Sequence, residues 1–355
     1  MKKVKDKYNV EISKVNEMAL ELNPVNTLLN VKEIIELNDN VKMFKLYNKK
    51  KLPIFKAGQY ITLTFKVDKG YVTRPFHLCG TPLEAQKGEY TVLVENDKED
   101  FALKHLYKKT CIGDLLISSS PTGDFYYNGI RDCEHVIGVA TGIGIAPLYA
   151  MAKAIVEGVE DFNLTIFYSE KKEKDLVLKE ELKELDKLSS KVKVEFVLSL
   201  EEKENYLTGF VSLDHIKKEM KERNSFFFCG TEGLLKYLDK ELEELQIPKK
   251  FIRYENFLPK CNIKKVSEYS LTIHINDEKY TTKCFNNKTL MCAIEELGMY
   301  IPSRCRNGSC GFCRSELIKG KVKVINDKRN EADKKYNFIH PCCTYPLSDI
   351  EIIIR

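Results

Sequence analysis

Regular alternation of apolar and polar residues predicts β-strands in the part of the chain that follows residue 28. In AGQYITLTFKV, every second residue from Ile61 to Val67 is apolar and the residues between them are polar, as in a strand with one buried face. EYTVLVEN and GDLLISSS alternate in the same way, and turns rich in Gly, Pro and Asp separate these segments. We therefore expect residues 29–130 to form a small antiparallel β-barrel.

The pattern changes near residue 134, where buried strands begin to alternate with helices. HVIGVA, LTIFYS, VKVEFVLS and SFFFCG are predicted strands, whereas PLYAMAKAIV and two segments with leucines at helical spacing are predicted helices. This alternation indicates an α/β domain with a parallel sheet over residues 131–258. A linker is expected over 259–268, and a third domain, which opens with the alternating strand YSLTIHI, over 269–355. Residues 1–28 carry many charges and no clear period, and we treat them as an N-terminal extension.

Length and composition agree with a multidomain protein and exclude several functional classes. A chain of 355 residues is too long for a single core. The net charge of +5 is small, and no arginine-rich block indicates a nucleic-acid partner. The basic N-terminus lacks the apolar run of a signal peptide, and no apolar stretch approaches the roughly 20 residues that span a membrane. We expect a cytoplasmic protein whose 12 cysteines are reduced thiols or metal ligands.

Three of those cysteines lie close together in the segment CRNGSCGFC. Their C-x4-C-x2-C spacing is that of a plant-type [2Fe–2S] site, in which four thiolates hold two irons. Cys305, Cys310 and Cys313 are candidate ligands, and the two glycines between them allow the backbone to turn around a cluster. HPCCTYPLSD near the C-terminus offers two adjacent cysteines, Cys342 and Cys343, as the fourth ligand. Zinc ribbons favour two separated Cys-x2-Cys pairs, and a disulfide knot fits neither the compartment nor the spacing.

Two glycine turns after predicted strands are candidates for binding a nucleotide. In VATGIGIAPLYAM, Gly142 and Gly144 directly follow a strand, and Pro147 stands near the start of the next helix. Exposed N–H groups and the helix dipole at such a turn favour a pyrophosphate, although a glycine turn alone is often only a turn. CGTEGLL, which begins at Cys229, is a second strand-to-helix turn at the same edge of the sheet, where parallel sheets bind ligands.

The last block resembles a plant-type ferredoxin domain from its first strand to its last, including NKTLMCAIEELG before the cysteine loop. The resemblance implies an α+β domain of the β-grasp type that holds a [2Fe–2S] cluster. In that family the fourth cysteine lies seven residues before the aspartate of a P-x-S-D stretch. Counting back from Asp349 in PLSD selects Cys342 rather than Cys343.

Residues from about 30 to 259 resemble the ferredoxin–NADP reductase superfamily. TGIGIAP looks like its pyridine-nucleotide loop, and CGTEGLL looks like its C-G-P/T motif. By that resemblance Cys229 lies beside the nicotinamide ring and Thr231 near the ribose or diphosphate, and Gly230 between them is a further cofactor-binding residue. RYENFLP resembles the Y-E-x-F-x-P close of the reductase portion, with matches at Tyr254, Glu255, Phe257 and Pro259. Glu255 and Phe257 are therefore also expected to contact a cofactor.

The same superfamily has a flavin motif, R-x-Y-S/T, which this chain resembles with RPFHL. The resemblance makes Arg74 the guanidinium for the flavin phosphate and Phe76 the aromatic plane against the isoalloxazine ring. His77 replaces the hydroxyl residue that meets flavin N5, and Pro75 and Leu78 complete the segment. The alternative role for His77 is that of a surface strand residue.

A second departure lies in the segment that cradles the flavin diphosphate, which in the family reads G-x-x-S/T. Here it reads DFALKHL, with Asp100 in place of the glycine and Leu103 in place of the hydroxyl residue. A diphosphate loses its usual backbone and hydroxyl donors there. We expect FAD, the commoner flavin of the superfamily, with FMN or a differently held FAD as alternatives.

Together the resemblances imply an NAD(P)H-dependent reductase of the phthalate dioxygenase reductase or hybrid-cluster-protein reductase type. In such an enzyme a nicotinamide nucleotide beside Cys229 passes a hydride to flavin near His77, and the flavin delivers single electrons to the cluster. Lys171 and Lys172 would suit a 2′-phosphate, but Glu170 would repel one, which favours NADH over NADPH; the main interpretation of these residues is a solvated charge run.

The expected partner is an electron-accepting redox protein. The ferredoxin-like block has 14 Lys and Arg against 10 Asp and Glu, a net charge of +4, which suits either an acceptor with an acidic docking patch or a plain solvated lysine-rich surface. An oxygenase, a hybrid-cluster protein and a corrinoid protein are all compatible with the motifs. Two other interpretations stay open. One is a flavin-poor electron-transfer or redox-sensing subunit, in which His77 and Leu103 mark a lost flavin. The other is a subunit that acts only within a larger complex.

Overall fold

The computed structural model describes residues 26–257, 261, 263 and 265–354. Residues 1–25 of the predicted extension, the predicted motif residue Pro259 and part of the predicted linker lie outside the described residues. Four sheets and eight α-helices occur within the described ranges. None of the helices in these ranges has the length and apolar character needed to cross a membrane.

The first sheet is antiparallel and has six strands. These are β1 (Asn26–Glu36), β2 (Val41–Tyr47), β3 (Tyr60–Val67), β4 (Gly70–His77), β5 (Glu89–Glu95) and β6 (Leu115–Ser119), in the spatial order β4-β3-β6-β1-β2-β5. Leu78 bridges to Val92 of β5, and the Cys79 N–H donates to the Thr91 carbonyl at 2.8 Å. The two outer strands therefore meet, and the predicted antiparallel barrel is confirmed.

Two helices belong to this barrel, α1 (Pro82–Gln86) and α2 (Phe101–Lys109). Ala102, Leu103 and Leu106 turn the apolar face of α2 into the barrel core. Leu103 stands where the resembled family has a hydroxyl residue, and here it is a buried packing residue. Asp100 precedes the helix and caps it.

The second sheet is parallel throughout. Its strands are β7 (His135–Thr141), β8 (Asn163–Glu170), β9 (Val192–Leu198), β10 (Leu207–Thr208), β11 (Asn224–Cys229) and β12 (Ile252–Glu255), in the order β10-β9-β8-β7-β11-β12. Helices α3 (Ile145–Val156) and α4 (Lys179–Leu188) pack in one core with the sheet, and α5 (Leu213–Glu219) and α6 (Glu232–Glu243) pack largely in the other. In register, Cys229 pairs with Ala140 on one side and with Glu255 on the other. The carboxyl ends of three strands therefore meet at one edge.

The third sheet is mixed and is crossed by one helix. Its strands are β13 (Glu268–Ile275), β14 (Glu278–Phe285), β15 (Ser315–Lys319), β17 (Phe338–Ile339) and β19 (Ile350–Ile354), in the order β14-β13-β19-β15-β17. Strands β16 (Val322–Val324) and β18 (Thr344–Pro346) form a separate pair, and the helices are α7 (Leu290–Glu296) and α8 (Glu331–Lys335). Leu290, Met291 and Ile294 of α7 pack into the core of the mixed sheet. This arrangement confirms the predicted α+β domain.

The third domain lies directly against the barrel. A Cβ atom added to Gly70 at the start of β4 would lie 2.8 Å from the carbonyl oxygen of Gly298, just after α7. Such a short distance shows that the two backbones touch, and neither position tolerates a side chain without movement. Helix α7 is thereby held beside the strand that carries the predicted flavin motif.

Candidate functional site

The cysteine loop is a tight turn between Ile301 and β15. Gly308 and Gly311 have φ angles of +81° and +70°, and Arg306 has a φ of +55°, so the backbone turns repeatedly through the left-handed region. The Cys310 N–H donates to the Cys305 sulfur at 3.3 Å. Cys310 is exposed, whereas Cys305 and Cys313 are buried. The loop therefore carries two sulfurs in the interior and one at the surface.

Cys342 completes a set of four thiols. Its thiol lies next to those of Cys305 and Cys313, and the thiol of Cys305 also lies next to that of Cys310. Hydrogen bonds from the Cys310 and Cys342 side chains, aided by Ser309, hold the pKa of Cys305 well below its ordinary value despite its burial. A set of thiols that already favours a thiolate suits a cationic metal centre.

The thiol of the neighbouring Cys343 contacts that of Cys342 but faces His340 and Gly308. Its Sγ atom donates to the His340 carbonyl at 3.5 Å and lies where a side chain on Gly308 would have to go. Among the described residues, no group of three or more Cys, His, Asp or Glu side chains surrounds a single ion position. The four thiols form one connected set, in which Cys342 contacts Cys305 and Cys313 and Cys305 contacts Cys310. Four thiolates are the number that a [2Fe–2S] cluster takes. The donor set fits a [2Fe–2S] cluster.

The two predicted nucleotide turns are adjacent in space. Gly142–Gly144 form a single 3₁₀ turn between β7 and α3, and Pro147 is the third residue of α3. A Cβ atom on Gly144 would collide with the Cys229 carbonyl, so the turn packs directly against the end of β11. The Thr231 N–H donates to Thr141 Oγ1 at 3.3 Å. Sequence reasoning expected these turns at one edge, and the structure brings them into contact.

The side chains at the second turn have distinct environments. Cys229 is buried, and burial raises the pKa of its thiol well above the ordinary value, so the group is a neutral thiol at physiological pH. Thr231 caps α6 by accepting a hydrogen bond from the Leu234 N–H at 3.4 Å. Gly230 lies so close to Thr141 that a side chain would collide with its hydroxyl.

Glu170 is a further residue of this edge. It ends β8, and its carboxylate accepts a hydrogen bond from the Gly142 N–H in the first glycine turn. Burial raises the pKa of Glu170 to about 7, so the carboxyl is partly ionised at neutral pH. Sequence reasoning identified Glu170 as a repellent for a 2′-phosphate but gave no sign of this bond, because the two residues lie 28 positions apart.

The predicted flavin-phosphate residue, Arg74, is fully buried and already paired. Its Nε and Nη2 atoms donate to the two carboxylate oxygens of Asp100 at 2.8 and 3.0 Å, and its Nη1 atom donates to Glu295 at 3.0 Å. Burial alone would raise the pKa of Asp100, but Arg74 outweighs it and holds that pKa below the ordinary value. The guanidinium thus already binds two carboxylates of the chain.

The other residues of the flavin segment are also enclosed. The rings of His77 and Phe257 stack at 4.5 Å with an angle of 27°. His77 Nε2 is buried without a hydrogen-bond partner among the described residues, and burial lowers the pKa of His77 to about 3, which keeps the ring neutral. Phe76 lies in the barrel core, and Pro75 and Leu78 are buried as well. The residues of this segment do not fit a flavin held by its phosphate at Arg74.

An open cavity of about 380 Å³ lies between the barrel, the end of β12 and the cysteine loop. Tyr60, Phe125, Glu255, Cys305 and Cys310 contribute to its wall. Burial raises the pKa of Glu255 to about 7. The volume lies within the range of about 300–1,000 Å³ that small-molecule sites occupy, so a cofactor ring or substrate has room beside the two cysteines.

Glu255 also connects the parallel sheet to the cysteine loop. The side-chain amide of Asn307 donates to Glu255 and to the Asn256 carbonyl, both at 3.2 Å. Both Glu255 and Asn307 are buried. The edge that carries the nucleotide turns is therefore hydrogen-bonded to the loop that carries three of the four thiols.

Comparison with known proteins identifies two domain families in the chain. Residues 139–240 match the oxidoreductase NAD-binding domain, and residues 273–347 match the 2Fe-2S iron-sulfur cluster binding domain. The glycine betaine monooxygenase reductase subunit of Chromohalobacter salexigens is 22% identical over 325 residues, which cover 84% of this chain and 87% of the relative. The ferredoxin reductase component of 3-ketosteroid-9-alpha-monooxygenase from Mycobacterium tuberculosis is 23% identical over 313 residues, covering 83% of this chain and 84% of the relative.

Among solved structures, phthalate dioxygenase reductase shares the fold, with a TM-score of 0.70 and 20% identity over 92% of this chain and 97% of that one. These matches confirm the predicted multidomain fold and the predicted combination of an NAD-binding oxidoreductase domain with a 2Fe-2S domain. The predicted cofactor classes agree with the matched families as well. The way this chain would hold a flavin is a separate matter, which depends on Arg74, Asp100 and their neighbours.

Proposed function

We propose that this chain, which joins an oxidoreductase NAD-binding domain to a 2Fe-2S iron-sulfur cluster binding domain, is a reductase component. It takes electrons from NAD(P)H and delivers them through a [2Fe–2S] cluster to a separate redox protein. The observation that carries the proposal is the direct bond from Asn307 of the cysteine loop to Glu255 at the end of β12. This bond joins the edge of the parallel sheet that carries the two glycine turns to the loop that carries three of the four thiols.

The proposed cluster ligands are Cys305, Cys310, Cys313 and Cys342. When bound, such a cluster supplies a one-electron carrier. The chain's own contribution is to hold the thiols in a preformed loop, with Cys305 biased towards the thiolate by donated hydrogen bonds. Cys310 lies at the surface, which gives a partner protein the shortest approach to the cluster site.

The proposed nucleotide site is formed by Gly142, Gly144, Pro147, Cys229, Gly230 and Thr231. The N–H groups at the turn before α3 and at the start of α6 suit the diphosphate. Cys229, a buried neutral thiol, acts by packing against the nicotinamide ring rather than as a nucleophile. Glu170 favours NADH, because its partly ionised carboxylate at the end of β8, directly before Lys171 and Lys172, repels a 2′-phosphate.

Conversion of a two-electron donor into single electrons is the chemistry that a flavin supplies in this fold family. A hydride carries two electrons and a [2Fe–2S] cluster accepts one, so the reductase function requires a flavin that is held in another way than by its phosphate at Arg74. Arg74 and Asp100 are bonded to each other, and His77 is stacked on Phe257. These contacts favour a second candidate function, a flavin-poor electron-transfer subunit that receives electrons within a larger complex.

We propose an oxygenase as the electron acceptor. The relatives that cover most of the chain are named as reductase components of glycine betaine and 3-ketosteroid-9-alpha monooxygenases. A hybrid-cluster protein or a corrinoid protein is the alternative acceptor. A cytoplasmic location belongs to the same proposal, because free thiolates and the reduced nucleotide pool coexist in that compartment.

The proposal is tested with the full chain, purified without oxygen. Iron, sulfide and flavin contents are measured, and the visible spectrum is followed during titration with NADH and then with dithionite. We expect two irons and two sulfides per chain and cluster bands that NADH bleaches. Bands that dithionite bleaches but NADH leaves unchanged would contradict the reductase function and favour the flavin-poor subunit.

A further inference from the structure

Four buried charged groups connect the barrel to the cysteine loop. Asp100 pairs with Arg74, Arg74 pairs with Glu295 of α7, and Glu295 pairs with Arg306 of the cysteine loop. Arg306 donates through both terminal nitrogens to the two oxygens of Glu295, each at 3.0 Å. Each of the four side chains is at most 9% exposed. We call this set the four-charge network.

The network is electrically balanced. It contains two guanidinium groups, from Arg74 and Arg306, and two carboxylates, from Asp100 and Glu295. Four of the five N–H donors of Arg74 are already used, by Asp100, Glu295 and the Thr73 carbonyl. No surplus positive charge or free donor fork is left for a phosphate, and burying a further anion without a counter-charge is costly.

Asp100 also fills the anion position at the start of α2. One of its oxygens, Oδ1, accepts from the Ala102 N–H at 2.8 Å, from the Leu103 N–H at 3.0 Å and from Arg74 at 3.0 Å. Helix N-terminal N–H groups together with an arginine are the donors that a phosphate oxygen would take. Here the carboxylate of the chain takes them all.

We infer that Asp100 replaces the flavin phosphate in this chain, and that Arg74 is a positioning residue which fastens the cysteine loop to the barrel through Glu295 and Arg306. The stack of His77 on Phe257 supports the role of Asp100, because Phe257 covers the face of His77 in the same predicted flavin segment. The contact of Gly70 with Gly298 supports the positioning role of Arg74, because it brings α7 against β4. The positioning role rests on the proposed cluster function; the role of Asp100 does not.

The role of Asp100 is tested by titrating the full-length holoprotein with FMN and with riboflavin, which lacks the phosphate. We expect wild type to bind FMN no more tightly than riboflavin. Asp100→Gly frees two N–H groups and the Arg74 fork, so FMN should bind at least about tenfold more tightly than in wild type. Riboflavin affinity should not change. Asp100→Asn keeps a capping oxygen but removes the charge, and it serves if the glycine variant is unstable.

The opposite result would overturn this role. Wild type would then prefer FMN or FAD over riboflavin by a large factor, and Arg74→Gln would abolish the preference. Arg223→Gln, which changes an exposed arginine in another domain, is the matched control. Arg74→Lys retains the charge and replaces Arg74→Gln if the latter does not fold.

The positioning role is tested by Glu295→Gln, with the reduction potential and electron paramagnetic resonance spectrum of the cluster as readouts. Removal of a carboxylate bonded to Arg306 should shift the potential to a more positive value and alter the spectrum. Glu351→Gln, in the same domain but paired with His274 at 2.7 Å, should change neither. An unchanged spectrum and potential in Glu295→Gln would overturn the positioning role. A wild type without iron would overturn the proposed function instead, and the FMN titration would still decide the role of Asp100.

Discussion

At the scale of single residues, the adjacent pair Cys342 and Cys343 provides a sharp test of the cluster site. Both thiols are buried, yet Cys342 is the one that lies next to Cys305 and Cys313, while Cys343 donates to the His340 carbonyl. We predict that Cys342→Ser loses most of its iron and sulfide. Removing a ligand should lower the metal affinity by more than the roughly 10–100-fold that the loss of an outer partner of a metal site costs. Cys343→Ser should keep its iron and sulfide. Iron analysis and the visible spectrum provide the measurement, and equal loss in the two variants would rule out the assignment.

Glu170 is expected to set the choice between NADH and NADPH. Glu170 ends β8 directly before Lys171 and Lys172, the residues that would suit a 2′-phosphate, and its carboxylate would repel that group. Glu170→Gln should therefore bind NADPH about tenfold more tightly relative to NADH, a change that corresponds to about 1.4 kcal/mol. Fluorescence titration with each nucleotide measures the ratio, with Glu222→Gln, an exposed glutamate, as the control. A ratio that stays constant would remove Glu170 from the nucleotide site.

Glu170 should also make stability depend on pH. Its pKa is about 7 in the folded chain and 4.5 in the reference state, so the folded state binds the proton more tightly. The resulting stabilisation is complete below about pH 4.5 and disappears as the pH rises to about 7. In wild type, the free energy of unfolding should therefore fall by on the order of 1–3 kcal/mol between about pH 5 and pH 8. We predict that this fall is absent in Glu170→Gln, which has no carboxyl group to ionise. Urea unfolding followed by circular dichroism would detect it; parallel pH profiles of variant and wild type would contradict it.

At the scale of elements, the turn from β7 into α3 must pass close to the end of β11. Gly144 has an ordinary helical φ of −61°, so its need for glycine arises from the contact with the Cys229 carbonyl and not from backbone strain. We predict that Gly144→Ala costs about 1–3 kcal/mol and weakens NADH binding, because the turn must move away from β11. Gly233→Ala in α6 meets no atom within 4 Å and should stabilise the helix by about 0.5–1 kcal/mol. Thermal melts and NADH titration compare the two, and an unaffected Gly144→Ala would show that the turn can relax.

At the scale of the whole molecule, the +4 charge of the ferredoxin-like block, 14 basic against 10 acidic residues, should steer acceptors. We predict that NADH-dependent reduction of ferricyanide, an anion, slows as ionic strength rises, because salt shortens the Debye length from about 30 Å at 0.01 M to about 8 Å at 0.15 M. Reduction of the cation hexaammineruthenium(III) should not slow, and NADH bleaching of the cluster within the chain should be unaffected. The same salt response for both acceptors would exclude electrostatic steering by this block.

Much of the architecture could be predicted because it depends on local periodicity. The alternation in AGQYITLTFKV and YSLTIHI predicted β3 and β13, and the alternation of buried strands with helices predicted the parallel sheet. The strands β1 and β2 were not singled out, because their half-buried faces mix lysines and glutamates into the apolar pattern. The domain boundaries stay a prediction, although β1 begins at Asn26, three residues before the predicted start of the barrel.

The sequence by itself determined the spacing of the cysteine loop and the positions of the two glycine turns, because each is built by residues that are near neighbours along the chain. Only the tertiary structure decided what Arg74 binds. Its partners Asp100 and Glu295 lie 26 and 221 residues away along the chain. The local pattern of apolar and polar residues does not show which distant charged residues folding brings together. A buried guanidinium must be paired with negative charge, and its partners are whichever carboxylates the fold places within hydrogen-bond distance. For that reason the motif around Arg74 predicted a phosphate, and the fold supplied a carboxylate.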